Sequence, residues 1–203
     1  MMRIIRSIAF AMLFLPTAAL AQAQDARLSA RLDARTAEAV NKVILSARDR
    51  GLPTEPLVQK ALQGASKNAP GDRIVQAVET LARHLDDATR ELEGASYLDV
   101  VSAATALEAG ATPSSLARLR AKRSDDAPLA PACLTLAFLV GKGVQPDRAA
   151  DLLGDMLAAR ARDTDFMTLQ RLVEQDVRAG APPLEAARVR VQGLVVAPVR
   201  RVP

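Results

Sequence analysis

The chain has 203 residues, a formal net charge of +4, one histidine, one cysteine and five aromatic residues. One histidine and one cysteine exclude a His/Cys-rich transition-metal site, and a lone cysteine excludes an internal disulfide. So few aromatic rings argue against a surface that stacks nucleic-acid bases.

The first segment has the layout of a secretory signal peptide. Arg3 and Arg6 make a basic start, an apolar run follows over 7–15, Pro16 breaks it, and small residues lead to Ala19-Leu20-Ala21. Cleavage after Ala21 fits this pattern, and Ala21-Gln22-Ala23 offers a second site after residue 23. The apolar run is too short to span a bilayer, and no cysteine follows it to carry a lipid anchor. Residues 1–21 are therefore expected to direct export to the periplasm or the exterior of a bacterial cell. Their removal takes away Arg3, Arg6 and no acid, so the charge falls from +4 to +2. Net charge then gives no case for nucleic acid as a partner.

Helical periodicity begins at once. Leu28, Leu32, Ala39, Val43, Ile44 and Ala47 recur at three- and four-residue steps and predict one helix over 26–50. Past Gly51, Thr54 is expected to cap a helix to 65, and the breakers over 64–71 predict a loop. A long amphipathic helix follows over 72–93, carrying Ile74, Val78, Leu81, Leu85, Ala88 and Leu92. Gly94 ends it, and Ser96 with Asp99 forms a capping-box pattern that opens a helix to 109. Thr112-Pro113 opens another to 122.

The polar stretch 123–128 is the expected linker between an N-terminal block (22–122) and a C-terminal block (129–194). Beyond it, helices are predicted over 129–141, 146–161, 165–179 (with Thr164 as N-cap) and 183–193. The apolar run 129–140 predicts a buried core helix, with Cys133 as a buried small hydrophobe. The tail 195–203, with two prolines, is expected to be extended.

Five helical runs stop at glycine: Gly51, Gly94, Gly110, Gly143 and Gly180. Three of these stops share the form Gly-x-x-Pro: Gly110-Ala111-Thr112-Pro113, Gly143-Val144-Gln145-Pro146 and, with an extra proline, Gly180-Ala181-Pro182-Pro183. Glycine past a helix end supplies a left-handed turn, and proline in a first turn lacks an N–H that would be orphaned there. The last three glycines lie 33 and 37 residues apart, within the range of two-helix repeats. The expected fold is all-α: about nine helices in serial hairpins, stacked as a short α-solenoid-like array or as an irregular bundle. The aromatic positions of tetratricopeptide repeats and the Thr-Pro-Leu-His of ankyrin repeats are missing.

The sequence nominates no catalytic, cofactor-binding or metal-binding residue. Neither Gly-x-Ser-x-Gly, a phosphate-binding loop, nor His-Glu-x-x-His occurs. His84 stands alone, and Asp86-Asp87 and Asp125-Asp126 are adjacent acids whose side chains diverge on a helix. What remains is two basic clusters, Arg118, Arg120, Lys122 and Arg123, then Arg188, Arg190, Arg200 and Arg201, which are the candidate interface residues. The expectation is an exported, non-catalytic scaffold that binds another exported or envelope protein. The alternatives are a binder of anionic lipid or polymer through the arginines, and an enzyme built on dispersed carboxylates.

Overall fold

A computed structural model describes residues 25–123 and 127–196. Among the described residues there are ten helices and no strand: α1 (Ala26–Ser29), α2 (Ala34–Asp49), α3 (Glu55–Ser66), α4 (Gly71–Glu91), α5 (Tyr97–Glu108), α6 (Pro113–Lys122), α7 (Ala130–Gly141), α8 (Pro146–Ala158), α9 (Asp163–Arg178) and α10 (Pro183–Val196). The fold is the all-α array of hairpins that the turn pattern predicts.

The helices form two layers. Even-numbered helices stack on one another in order, α2 on α4, α4 on α6, α6 on α8 and α8 on α10. In the odd-numbered layer α1 packs on α3, α5 on α7 and α7 on α9, with a Lys60–Glu108 ion pair joining α3 to α5. Neighbours within a layer run parallel. The Leu129 and Ala130 amides at the start of α7 meet Asp99 in the first turn of α5, while Gly110 and Val140 approach at the far ends.

The 33-residue spacing of the turn glycines is also the stacking register of the central hairpins. Ser114 Oγ lies 3.3 Å from an Asp147 carboxylate oxygen and Arg118 Nη1 lies 2.9 Å from one of Asp151, both pairs 33 residues apart. Gly110 and Gly143 carry the turns that set this register, at φ of 103° and 90°. In each, the next amide bonds five residues back, Ala111 to Ala106 and Val144 to Leu139, closing the open carbonyls of the preceding helix. Gly51, Gly94 and Gly180 also take positive φ.

One core cluster runs from Leu28 to Val191, through both sides of 123–128. Its largest fully buried side chains are nearly all leucine, among them Leu85, Leu116, Leu136 and Leu153, interleaved with many fully buried alanines. Residues 124–126 of the expected linker lie outside the described residues.

Several predicted boundaries are corrected. The single helix over 26–50 is two, because Asp33 accepts the Thr36 amide and hydroxyl and starts α2 afresh. Thr54 makes no side-chain cap; α3 starts with Glu55 and Pro56 in its first turn. The loop over 64–71 is shorter, since α3 continues to Ser66 and closes with Asn68 in the left-handed region (φ 53°). Gly71 already belongs to α4, where an added Cβ would collide with Thr36 Oγ1 of α2. Helix α8 stops at Ala158 because Arg160 turns left-handed (φ 54°) and Ala161 bonds back to Met156. Helix α9 starts earlier than 165: Thr164 lies inside it, and the Asp165 carboxylate accepts the Arg162 amide at 2.9 Å. Helix α10 runs through 193 to Val196, so the first two residues of the expected tail are helical. Residues 197–203 lie outside the described residues.

Candidate functional site

Asp99 is the most constrained polar residue. It is 1% exposed, and beyond its cap on Ser96 of α5 its Oδ1 accepts the Leu129 and Ala130 amides at 2.8 and 2.7 Å. One carboxylate thus closes the N-termini of two adjacent helices, where the helix dipole favours negative charge. Cys133, one turn into α7, is fully buried, and burial together with the Asp99 charge pushes its thiol up to about 12. Such a thiol is not a nucleophile at neutral pH. No group of three or more His, Cys, Asp or Glu side chains that could hold a metal ion occurs among the described residues.

The candidate interface cations are mostly engaged between or within helices. Arg118 on α6 meets Asp151 and Asp147 of α8, and Arg120 reaches the Glu91 carbonyl and the Glu93 carboxylate. The Lys122 stem lies against Gly154 of α8, where a Cβ would sit 3.0 Å from it, and Arg123 donates to the Ala127 carbonyl. On α10, Arg188 pairs with Glu185 and Arg190 grips Asp176 of α9 with two bonds of 2.7 Å. Helix α8 packs against both α6 and α10 and stands between the two clusters. Arg200 and Arg201 lie outside the described residues.

Six large side chains of apolar type are exposed among the described residues; Leu184 and Val189 (38% and 55%) lie on α10 beside its basic residues, and the other four lie elsewhere. Tyr97 and Leu98 of α5, Leu134 of α7 and Met167 of α9 are 57%, 61%, 45% and 68% exposed. Each lies in the first half of its helix, and these three helices are consecutive members of one layer, held parallel by Asp99, by Gln170 bonding Thr135 and by Lys142 pairing with Glu174. The half-buried Val101 and Phe138 continue the same surfaces of α5 and α7. Helix α7 is buried over most of its surface, as its composition predicts, and Leu134 is left exposed on one side. The sequence offered that signal in the run 129–140, but periodicity cannot show which side of an all-apolar helix is left uncovered.

Among the described residues two buried side-chain nitrogens have no partner, Asn41 Nδ2 on α2 and His84 Nδ1 on α4. An unpaired buried polar group costs about 1–3 kcal/mol. Asn41 lines an open cleft of about 440 Å³ between α2, Asp25 and the start of α3. At its mouth Arg27 bridges Asp25 and Glu55, with Nη2 at 2.6 and 2.8 Å from their carboxylates. That guanidinium holds the Glu55 carboxyl down to about 2 and lowers Asp25 as well.

Compared with known proteins, the chain matches no family model, no curated protein and no solved structure. Fold and surface define its class: an all-α array of stacked hairpins with an apolar strip across one layer. No helix among the described residues is long and apolar enough to cross a membrane.

Proposed function

We propose that the protein is an exported, non-catalytic interaction module that binds another exported or envelope protein through the α5–α7–α9 layer. Export rests on the signal-peptide pattern of residues 1–21. The observation that carries the binding reading is the row of exposed Tyr97, Leu98, Leu134 and Met167 on three successive parallel helices. Apolar side chains gathered on one surface favour removal from water, and interfaces are enriched in Tyr and Met. The array holds these side chains at fixed spacing, so a partner meets a preorganised surface and little order is lost on binding.

The arginines carry less of this reading than their number in the sequence suggests. Ion pairs within the array already satisfy Arg118, Arg120, Arg188 and Arg190, and an anionic surface would have to compete with those carboxylates.

The test is crosslinking of the tagged protein in the envelope of its native host, with the triple variant Leu98→Glu, Leu134→Glu, Met167→Glu run beside it. A protein recovered at a fixed ratio with the wild type and lost with the variant supports the reading. Recovery that the variant leaves unchanged, or that 0.5 M salt abolishes (about 4 Å of screening length), counts against it and returns attention to the basic residues.

A further inference from the structure

The odd-numbered layer has a gap. Helix α5 lies on α7 and α7 on α9, but α3 stands off from α5 and reaches it through the Lys60–Glu108 ion pair. Helix α4, at 21 residues the longest of the described helices, floors the gap and leaves an open groove of about 650 Å³. The two helices that line most of it carry the same pattern. On α3 and its C-cap residue, Lys60, Gln63, Gly64 and Lys67 fall at steps of three, one and three, and on α4 Arg73, Gln76, Ala77 and Thr80 do the same. Those steps put each set on one face of its helix. Gly64 and Ala77 are small and leave room between the longer side chains.

The charges in this groove do not balance. Its one carboxylate, Glu108, is taken by Lys60. Lys67 and Arg73 line the same end of the groove, on either side of the α3–α4 turn, and neither side chain makes an ion pair or hydrogen bond among the described residues. Lys67, at the C-terminal end of α3, suits the dipole of that helix, but Arg73 stands in the first turn of α4, where the dipole disfavours a cation. Its neighbour Asp72 does not pair with it. Both cations are exposed, so neither is held there by the core. An anionic group between them would relieve their repulsion through charge-assisted hydrogen bonds. The Gln63 and Gln76 side chains, midway along the groove, are likewise without hydrogen-bond partners among the described residues. Each carboxamide offers a donor and an acceptor, and a polypeptide main chain presents both in return. A simple oxyanion would use the N–H groups and leave both glutamine oxygens idle.

We propose that this groove binds an extended acidic segment of another polypeptide, with a glutamate or aspartate carboxylate between Lys67 and Arg73 and the main chain on Gln63 and Gln76. The helix from Lys60 to Lys67 spans about 10 Å, the length of about three extended residues. At the far end Glu108 already holds Lys60, so the segment needs its carboxylate at the Lys67 end only. The residues concerned belong to α3, α4 and the end of α5, and none is in the apolar row. The site therefore stands or falls apart from the α5–α7–α9 reading.

The probe is a mixed-sequence library of hexapeptides, acetylated and amidated at their ends, with glutamate fixed at the third position. It is compared with the same library carrying glutamine there, each mixed with the full chain. Retained peptides are read by affinity-selection mass spectrometry, and the Gln63 and Gln76 side-chain amides are followed by NMR. The glutamate library should be held about tenfold more tightly and should shift both amides, and Lys67→Ala with Arg73→Ala should erase that preference. Gln63→Ala with Gln76→Ala should weaken retention of both libraries. All four positions are exposed, so these variants should keep the wild-type melting temperature, and Arg171→Ala, which removes an exposed cation of α9, should leave retention unchanged. Equal retention of the two libraries overturns the proposal. So does inorganic phosphate that shifts the glutamine amides at the concentration where the peptides do, which would make the groove a simple anion site. Retention that Arg171→Ala lowers as far as the Lys67 and Arg73 double variant also overturns it, since the attraction would then belong to positive charge in general.

Discussion

The central hairpins and the first hairpin turn differently, through left-handed Gly110 and Gly143 in one case and through Ala30 and the Asp33 cap in the other. From α5 to α8 every helix has a parallel neighbour in its own layer, and the 33-residue register brings Ser114 to Asp147 and Arg118 to Asp151. In the first hairpin the cap at Asp33 starts α2 afresh after the four residues of α1, and among the described residues of that hairpin nothing covers the polar stripe of α2 that carries Glu38, Asn41 and Lys42. Closure in this array thus depends on how long each outer helix is. The unpaired Asn41 amide lies on α2 of this first hairpin.

The strongest way to break the central register is at Asp99. Asp99→Ala strands the Leu129 and Ala130 amides in the interior and should cost about 3 kcal/mol in chemical denaturation, with Asp99→Asn losing less because an acceptor oxygen is kept. A second lever is the turn itself. Space around Gly143 is open, so Gly143→Val tests backbone conformation alone and should destabilise by about 1–2 kcal/mol; an unchanged midpoint would mean that the register does not depend on that left-handed residue.

The third lever runs the other way. Arg160 performs at the end of α8 the turn that glycine performs after α5 and α7, so Arg160→Gly should raise stability by about 0.5 kcal/mol. The smallest effect belongs to the first hairpin. Arg27 lowers the Glu55 carboxyl from 4.5 to about 2, so the contribution of this bridge is complete above pH 4.5 and is lost as pH falls toward 2. Both groups are exposed, and salt should weaken the bridge as well. Hydrogen exchange at Leu28 should accelerate on acidification or in Glu55→Gln, while exchange in α5 and α7 stays unchanged.

Much of this architecture was legible from glycine and proline alone. Gly110 and Gly143 mark helix ends because left-handed backbone is open to glycine, and that signal survives without any knowledge of what the helices touch. Arg160 and Asn68 do the same work without the residue type that announces it, and so α8 was extended too far and the α3–α4 connection was drawn too long. The Asp99 capping box was readable from Ser96, three residues away; its grip on α7, 30 residues on, was not, because no local pattern records a contact between helices. The basic clusters had the converse fate. Composition showed the charges on Arg118 and Arg190, but their partners Asp151 and Asp176 lie on other helices and became visible only in the packing. The apolar row was hidden for the same reason, since Leu98, Leu134 and Met167 are ordinary helical leucines and methionine until the layer lines them up.

The register has a consequence for how the chain acquires its shape. The side-chain bonds that tie one hairpin to the next connect residues 28 to 48 positions apart. No distant segment has to be awaited before a hairpin finds its neighbour, so loop-closure entropy stays small at every step. A chain delivered end first, from a ribosome or through a membrane channel, can therefore lay down its hairpins one after another, each templated by the one before it, with Asp99 fastening the third hairpin to the fourth as soon as residue 130 arrives.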